Sequence, residues 1–335
     1  LNEIQILNYR NLRDVRLPFA SKINCFVGLN GMGKTNILDA IYLLSFTKSS
    51  LTAHDADCIT HGEELAMVKG TYCHEHLTSE AQTQSPTIIT CALRQGRKKQ
   101  FRRNDKDYKR LLEHIGLLPL VLVSPRDQEL IADGSEDRRR FIDSVISQYD
   151  QHYLELTTDY QQLLKQRNAL LRQCADRQTT ENENEIFYIL EERLANNAKQ
   201  IYAKRKTFIT LFEPYFSDIY QLISSGNEKV SIKYISQLDN RDITSALASA
   251  RQRDLILGWT SQGTHKDDLG MEIDGYPIKQ VGSQGQQKTF VLALKLAQAT
   301  FLADRHSDNG IHQTQLDKPI LLLDDIFDKL DAQRV

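Results

Sequence analysis

Gly28-Leu29-Asn30-Gly31-Met32-Gly33-Lys34-Thr35 has the spacing GxxxxGK[ST] of a phosphate-binding loop. Glycines let backbone N–H groups turn inward around an anion, and a helix that follows the loop adds its positive end. In such a loop Lys34 reaches the β- and γ-phosphates, and Thr35 supplies a hydroxyl ligand to Mg²⁺. Asn36 follows directly, and we place it in the same site. This segment therefore predicts ATP and Mg²⁺ as ligands.

The flanking residues predict a strand before this loop and a helix after it. Ile23-Asn24-Cys25-Phe26-Val27 predicts a buried strand, and the segment from Thr35 to Leu44 has apolar residues at helical spacing. Residues 1–19 alternate between apolar and polar side chains, which predicts two antiparallel strands. Strand, glycine loop and helix in this order indicate an α/β fold.

A second apolar segment ends in two carboxylates. Residues Ile320 to Leu323 are all apolar, and Asp324 and Asp325 follow them. We expect a strand of a parallel sheet covered on both faces, with the acids at the edge where ligands bind in open α/β folds. Asp324 then suits the Mg²⁺ side, and Asp325 suits the orientation or deprotonation of an attacking water.

A third motif opens a predicted long helix 41 residues before Asp324, at Ser283-Gln284-Gly285-Gln286. A serine and a glycine at a helix N-terminus form a second anion site. One bound nucleotide needs only one such site. A second site in the same chain is explained if it contacts the nucleotide that a partner holds. The combination resembles the signature of ABC-type ATPases, in which two heads sandwich ATP. We therefore expect Ser283, Gly285 and Gln286 to contact ATP held by another copy.

Between these motifs the hydrophobic period becomes helical. Two apolar runs are separated by a polar break at 176–185, which predicts an αα-hairpin with arms of about 25–30 residues. Pro214 is expected to kink or end the second arm. The runs are Tyr149, Tyr153, Leu156, Tyr160, Leu163, Leu164 and Leu171, and then Ile186, Ile189, Leu190, Leu194, Ile201, Phe208, Leu211 and Phe212.

These features together predict an α/β fold, namely an ABC-type P-loop ATPase head with a mixed sheet and an inserted α-helical hairpin lobe. We assign residues 1–120 to the first half of the ATPase core, 121–254 to the helical lobe and 255–335 to the second half of the core. An ABC head needs a further strand after its D-loop, which here corresponds to Phe327 to Asp331, and we expect that strand to lie beyond Val335.

Several other segments resemble the bacterial recombination-mediator family RecF, which is related to the SMC proteins. The segments are Asn8-Tyr9-Arg10-Asn11-Leu12, Ser124-Pro125-Arg126-Asp127, Arg138-Arg139-Arg140-Phe141-Ile142-Asp143, Gln166-Arg167-Asn168-Ala169-Leu170-Leu171, Gly263-Thr264-His265-Lys266-Asp267-Asp268 and Phe327-Asp328-Lys329-Leu330-Asp331. They are spread over essentially the whole chain. The resemblance implies that Arg10 lies near the nucleotide phosphates.

The same resemblance implies a function. A protein of this kind is an ATP-dependent DNA-binding homodimer with weak ATPase activity, acting in recombinational repair and replication restart. It binds gapped DNA or single-strand/double-strand junctions and helps RecR and RecO to load RecA. One departure is Ser49-Ser50-Leu51, which lacks an arginine that the family often has after the Walker helix.

Two rival interpretations belong to other classes. An SMC-type structural chromosome head would carry hundreds of heptad residues between its motifs, whereas the predicted arms are short. An ATPase subunit of an ABC transporter would lack both the long arms and the Arg138-Arg139-Arg140-Phe141 segment. His265, Asp267 and Asp268 suggest either a catalytic or metal cluster or a structural role. Because they precede the third motif, His265 is not the usual switch histidine of an ABC head.

The overall charge excludes a wholly basic nucleic-acid-binding protein, since 42 Lys and Arg meet 44 Asp and Glu. A local basic face is still present. Nine basic residues lie between Arg94 and Arg110, where only Asp105 and Asp107 oppose them. We predict that this segment contacts the DNA backbone through Arg97, Lys98, Lys99, Arg102 and Arg103, with a solvated charged face as the alternative.

The cellular location is predicted from features that the sequence lacks. No segment approaches the ~18–20 apolar residues that a membrane helix needs. The five cysteines are odd in number and have no CxxC spacing. Residues 1–10 do not have the pattern of a secretory leader. We expect a cytoplasmic protein without a membrane partner.

Overall fold

A computed structural model describes residues 1–73, 85–175, 179–224, 228–308 and 318–325. The chain divides into two units, which are described separately. The first unit comprises Leu1–Val123 and His306–Asp324, and the second comprises Ser124–Arg305 and Asp325–Val335. Residues 255–305, assigned from the sequence to the second half of the ATPase core, group here with the helical residues. The three-part division drawn from the sequence stays a prediction.

The first unit contains a six-stranded antiparallel sheet in the order β2-β1-β3-β4-β5-β6. The strands are β1 Glu3–Tyr9, β2 Leu12–Pro18, β3 Leu65–Tyr72, β4 Thr87–Arg94, β5 Gln100–Arg103 and β6 Lys106–Asp107. Along β3 and β4 every second residue is buried, as expected for a sheet with one face on a core. The two antiparallel strands predicted near the N-terminus are confirmed as β1 and β2.

Helix α1, Lys34–Phe46, packs on the buried face of this sheet. Gly70 on β3 allows the close approach, because a Cβ there would lie 2.7 Å from Leu44 Cδ1 and 2.8 Å from Tyr72 Cε2. The shared core is apolar and fully enclosed. Its members include Ile4, Ile6, Ala40, Leu43, Leu44, Val68, Ile89 and Cys91.

A second, parallel sheet in the first unit joins β7, Leu120–Val123, to β11, Ile320–Leu323. The strand predicted at Ile320 to Leu323 is confirmed, but the prediction that both its faces are covered is wrong. Leu321 is 39% exposed and Leu323 41% exposed, while Leu322 is buried. The period of two along a strand explains this pattern, since only one face of β11 meets the core.

The strand predicted at Ile23 to Val27 is also wrong. These residues form no strand, and Ile23 and Val27 are 87% and 89% exposed. A strand needs a neighbour for its backbone N–H and C=O groups, and none of the strands in the described residues pairs with this segment. Apolar composition alone therefore overstated the regular structure in front of the glycine loop.

The second unit is mainly helical. Its first helices are α2 Glu129–Ala132, α3 Ser135–Ile146, α4 Gln151–Gln173, α5 Glu181–Ser224 and α6 Ile243–Leu257. The predicted αα-hairpin is confirmed as α4 and α5, which pack along each other, but its arms are unequal at 23 and 44 residues. Helix α5 continues through Pro214, so the prediction that this proline could end the arm is wrong.

The predicted apolar runs are largely the packing surface of the hairpin. Tyr153, Tyr160 and Leu171 of the first arm are buried, and so are Leu194, Phe208 and Phe212 of the second. Ile186, Ile189 and Leu211 were predicted to join them but are exposed by 46%, 49% and 41%.

A three-stranded sheet and two helices complete the described part of the second unit. The sheet has the order β10-β9-β8, with β8 Val230–Ile235, β9 Asp268–Ile273 and β10 Tyr276–Pro277. The helices are α7 Ile278–Val281 and α8 Gln284–Asp308. On α8, Phe301 packs edge-on against Phe208 and Phe212 of the hairpin. None of the helices in the described ranges is both long and apolar enough to cross a membrane.

Candidate nucleotide-binding site

The predicted phosphate-binding loop leads directly into α1. Gly33 precedes the helix with a φ of 95°, a left-handed conformation that favours glycine, and no side chain of the described residues caps the helix start. Gly31 also has a positive φ, of 80°. Because the first N–H groups of a helix lack partners within the helix, this end of α1 suits an anion.

The Lys34 side chain folds back over the loop that precedes it. Its ammonium donates to the carbonyl oxygens of Gly28 at 2.8 Å and Leu29 at 3.0 Å. Lys34 thus lies against the backbone of the loop in which it was predicted to bind phosphate. These N–H groups of the ammonium are the donors that a bound phosphate would use, and phosphate binding by Lys34 stays a prediction.

The two predicted metal ligands lie together. The Thr35 hydroxyl donates to Asp324 Oδ1 at 3.1 Å, although 289 positions separate them in the chain. The Asp324 N–H donates to the Val123 carbonyl at 2.9 Å, which places Asp324 just past the C-terminal ends of β7 and β11. A hydroxyl and a carboxylate are the oxygen ligands that Mg²⁺ prefers, so the residues present fit this ion.

Asp325, the predicted orienting or proton-accepting acid, follows with a φ of 47°. Positive φ is uncommon for residues other than glycine, although aspartate tolerates it better than most. The side chain is exposed. Its predicted role in orienting water stays a prediction.

The β1–β2 hairpin also reaches this loop, through Asn11, a residue of the segment Asn8 to Leu12 for which no role was predicted. Asn11 Nδ2 donates to the Gly31 carbonyl at 2.7 Å, and Asn11 Oδ1 accepts from Asn36 Nδ2 at 2.7 Å. Arg10, the residue expected near the phosphates, lies against α1, and its predicted role stays a prediction. Its guanidinium bonds Asp39 Oδ2 and Ser49 Oγ, both at 3.2 Å.

Asp39 on α1 is a buried carboxylate with many partners. It accepts from the Tyr9 hydroxyl at 2.7 Å, from Ser49 Oγ at 2.8 Å and from the Ser50 N–H at 2.7 Å, besides Arg10. Burial, and then the charge of Asp39, raise the pKa of Tyr9 well above its usual value. Ser49 and Ser50, noted in the sequence for lacking a neighbouring arginine, thus help to fix α1 to the hairpin.

The third motif lies at the start of α8, in the second unit. Ser283 Oγ accepts from the Gln286 N–H at 3.2 Å, and Gln286 Oε1 accepts from the Ser283 N–H at 2.7 Å. This reciprocal pair is a capping box. Ser283 and Gly285 are exposed, and Gln286 Nε2 donates to Glu228 Oε1 at 2.8 Å. The three predicted residues therefore share one accessible helix end.

Comparison with known proteins identifies the family. The whole chain, residues 1–335, matches the family RecF/RecN/SMC N terminal domain. It is 46% identical over 335 residues to the DNA replication and repair protein RecF of Bacteroides thetaiotaomicron, covering all of this chain and 85% of that protein. The chain belongs to the RecF family. The RecF of Flavobacterium johnsoniae is 45% identical over 335 residues, covering all of this chain and 88% of that protein.

Solved structures agree with this membership. The chain superposes with a TM-score of 0.84 and 29% identity on a structure of the recombination mediator protein RecF-ATP in the RecFOR pathway, covering 99% of this chain and 88% of that one. A head of an Smc protein bound to a domain of ScpA shares the fold at a TM-score of 0.51 and 15% identity, with 99% and 89% covered. The predicted fold class, an ABC-type ATPase head with an inserted helical hairpin, is confirmed.

The RecF-like segments of the second unit make buried ion pairs. Arg167 is fully buried and bonds Glu191 Oε1 at 2.9 Å, Asp254 Oδ2 at 2.7 Å and Thr260 Oγ1 at 2.9 Å. Removing one partner of a buried pair leaves an uncompensated charge, which costs about 3–5 kcal/mol. These contacts tie both arms of the hairpin to α6 and the segment after it.

Another RecF-like segment, Arg138 to Arg140, lies on α3. Arg138 bonds both carboxylate oxygens of Asp268, at 2.7 and 3.1 Å, and Arg139 donates to the Asp267 carbonyl at 2.7 Å. Arg140 is exposed and pairs with Glu136 and Asp137 of its own helix. The first two arginines thus hold the strand that begins at Asp268.

His265 is part of this interior. Its Nδ1 lies 2.8 Å from the Tyr160 hydroxyl, and its Nε2 lies 3.0 Å from the Thr260 carbonyl. Burial lowers the pKa of His265 to about 4, so the ring is neutral at pH 7. A carbonyl only accepts, so Nε2 carries the proton and Nδ1 accepts from Tyr160. No cluster of metal-ligating side chains occurs among the described residues, and these contacts favour the structural alternative.

The basic segment of the first unit follows the end of β4. Arg97 and Lys98 are exposed in the turn before β5. Two of the five residues predicted to contact DNA are already paired, since Lys99 bonds Asp55 at 3.1 Å and Arg102 bonds Asp107 at 2.9 Å. Arg103 is half-buried on β5. A cavity of ≈480 Å³ beside them is lined by Lys98, Lys99, Lys109, Asp55, Asp107 and Tyr108, among others.

The RecF-like segment Phe327 to Asp331 lies outside the described residues. All five cysteines are free thiols.

Proposed function

We propose that this chain is an ATP-dependent DNA-binding protein of recombinational repair and replication restart, with weak ATPase activity. The observation that carries the proposal is the pairing of Thr35 with Asp324 directly behind the Lys34 loop. This pairing brings together two oxygen ligands for Mg²⁺ that lie 289 positions apart in the chain, beside the loop that would hold the phosphates. The names of the relatives and the similarity to the RecF-ATP structure support it.

Each residue has a role that follows from its chemistry. Lys34 exchanges the Gly28 and Leu29 carbonyls for the β- and γ-phosphate oxygens, while the N–H groups from Gly28 to Asn36 line the phosphates. Thr35 and Asp324 would hold Mg²⁺, which neutralises charge on the phosphates when it is bound. Asp325 orients the attacking water. Catalysis is then positioning and electrostatic stabilisation of the transferring phosphoryl group.

The second half of the site comes from another copy. Ser283, Gly285 and Gln286 stand at an exposed helix N-terminus, where negative charge is favourable. We propose that this end meets the γ-phosphate held by a partner, so that ATP joins two copies into a homodimer. Hydrolysis is then slow in a single copy, because the ATP held at its Lys34 loop has no Ser283 end from a partner beside it.

DNA is the proposed macromolecular ligand, with Arg97, Lys98, Lys99, Arg102 and Arg103 contacting the phosphate backbone. Of these, Arg97 and Lys98 are the most exposed, whereas Lys99 and Arg102 must release carboxylate partners first. Gapped or junction DNA as the preferred form, RecR and RecO as partners and assistance in RecA loading rest on the family alone.

The test is binding to gapped, duplex and single-stranded DNA in gel shifts with and without Mg²⁺–ATP. We expect ATP to strengthen binding to gapped DNA. The double variant Arg97→Ala, Lys98→Ala should bind DNA more weakly than the wild type. The slope of the logarithm of its binding constant against the logarithm of the salt concentration should be shallower by about one to two units. Lys229→Ala, a lysine of the second unit, is the control. Absence of binding to all three DNAs, with or without ATP, contradicts the proposed role.

A further inference from the structure

Asn11 connects the turn of the β1–β2 hairpin to the glycine loop. Its side-chain amide donates to the Gly31 carbonyl and accepts from Asn36, both at 2.7 Å. We infer that Asn11 is a positioning residue for phosphate binding, which acts by fixing the orientation of the peptide between Gly31 and Met32. The inference rests on the proposed binding of ATP at this loop.

The turn that carries Asn11 is itself fixed. The Arg10 N–H donates to the Cys58 carbonyl at 2.8 Å, and the Arg10 carbonyl accepts from Thr60 Oγ1 at 2.7 Å. The Arg10 guanidinium is bound to the buried Asp39 at 3.2 Å. The residue directly before Asn11 is therefore anchored through its N–H, its carbonyl and its side chain. A side chain presented from such a turn loses little further entropy when it bonds the loop.

The bond to Gly31 determines where the next N–H points. In a trans peptide the C=O and the following N–H point in opposite directions, and the chain has no cis peptide bond among its described residues. With the Gly31 carbonyl held toward Asn11, the Met32 N–H points away from the hairpin. There it lies 3.4 Å from the Leu29 carbonyl, which also accepts from Lys34 at 3.0 Å.

The Leu29 carbonyl thus accepts hydrogen bonds from two donors, the Met32 N–H and the Lys34 ammonium. A phosphate oxygen that replaces this carbonyl accepts from the same two donors. Were the Gly31–Met32 peptide to rotate, its carbonyl oxygen would face the phosphate and repel it. Gly31 has a φ of 80° and no side chain, so little else in the loop opposes such a rotation.

Gly33 shows how closely the hairpin approaches the loop. A Cβ at this position would lie 2.7 Å from Asn11 Oδ1 and 2.7 Å from Leu12 Cδ2. The Gly31 carbonyl fixes the direction of the Asn11 amide, because a carbonyl only accepts and so meets Nδ2. Asn11 Oδ1 is thereby left to accept from Asn36 Nδ2.

Two substitutions separate the roles of the two amide atoms. Asn11→Asp keeps the acceptor for Asn36 but sets a carboxylate oxygen against the Gly31 carbonyl. Asn11→Ala removes both bonds without adding charge. Asn104→Asp, in the turn between β5 and β6, is the matched control, since it adds the same charge and keeps the oxygen that accepts from the Ile88 N–H.

The measurements are the Kd for ATP in the presence of Mg²⁺, by titration of the full chain, and the melting temperature without nucleotide. We expect Asn11→Ala to weaken ATP binding about tenfold, the effect of about one hydrogen bond, and Asn11→Asp to weaken it further. Both variants should melt within a few degrees of the wild type. Asn104→Asp should bind ATP like the wild type.

Wild-type affinity in both Asn11 variants overturns the inference while the proposed ATP binding stands. A loss of affinity matched by a large drop in melting temperature also overturns it, because Asn11 would then support the fold rather than the loop. If the wild type itself binds no ATP, the proposed function fails.

Discussion

The N-termini of α1 and α8 are both predicted anion sites, but their backbone donors are used differently. At α1 the helix follows Gly33, and no described side chain caps it. At α8 the chain caps itself, since Ser283 and Gln286 bond each other's backbone N–H groups. The end of α1 is thus arranged for a ligand, whereas the end of α8 is stable without one.

This difference suggests an order of events. Under the proposed function, we expect ATP to bind first to the loop before α1, where Lys34, Thr35 and Asp324 lie within one unit. We expect the capped end of α8 to add a weaker contact, which forms only when a second copy already holds a nucleotide. The proposal thus predicts that nucleotide binding precedes dimer formation, and substitutions at either helix end test this order.

The largest effect is expected at α1, from Gly33→Ala. Its Cβ would overlap Asn11 and Leu12 at 2.7 Å, and the φ of 95° is strained for alanine. We expect a loss of about 3 kcal/mol in the free energy of unfolding, from strain and overpacking together, measured by urea denaturation without nucleotide. ATP binding should fall with it, because the overlap displaces the loop from the hairpin.

Gly62→Ala is the matched control for this prediction. Gly62 has a similar φ, 89°, but a Cβ there would meet nothing within 4 Å. It should cost only the backbone strain, about 1 kcal/mol. Equal losses of unfolding free energy in the two variants would show that the β1–β2 hairpin does not pack closely against the glycine loop.

A smaller effect is expected at α8, from Ser283→Ala. Removing an N-terminal cap costs about 1 kcal/mol, and the first turn of the helix should exchange its amide hydrogens faster. Hydrogen exchange with mass spectrometry checks this directly. ATP affinity of single copies should stay within about twofold of the wild type, because the proposed role of Ser283 is in a partner's site. Unchanged exchange in this turn would mean that the capping box contributes nothing.

The sequence predicted those parts of the site that lie in contiguous motifs. The glycine loop before α1 and the proximity of Thr35 to Asp324 could be predicted because phosphate and Mg²⁺ chemistry dictates these residue types. Asn11 and Asp39 were missed because their contacts join residues 20 to 30 positions apart, and no spacing rule relates them. The signal for Asn11 was its place in the RecF-like segment Asn8 to Leu12, directly after Arg10.

The errors in the fold have a common cause. Apolar residues at Ile23 to Val27 and at Ile320 to Leu323 predicted buried strands, but burial depends on what packs against a segment. Ile23, Val27, Leu321 and Leu323 all remain exposed in the described structure. Along α5, the effect of Pro214 was similarly overstated, because packing of a 44-residue helix against its neighbours outweighs one lost hydrogen bond.

Light scattering of the wild type and of Lys34→Ala, with and without Mg²⁺–ATP, tests the central claim most directly. Lys34 is the one charged side chain of the loop, so its loss should weaken ATP binding far more than the loss of Asn11 or Ser283. With ATP, the wild type should shift from 38.4 kDa toward twice that mass, and Lys34→Ala should stay at the mass of one copy. Dimers of Lys34→Ala that form with ATP as readily as those of the wild type would contradict the account.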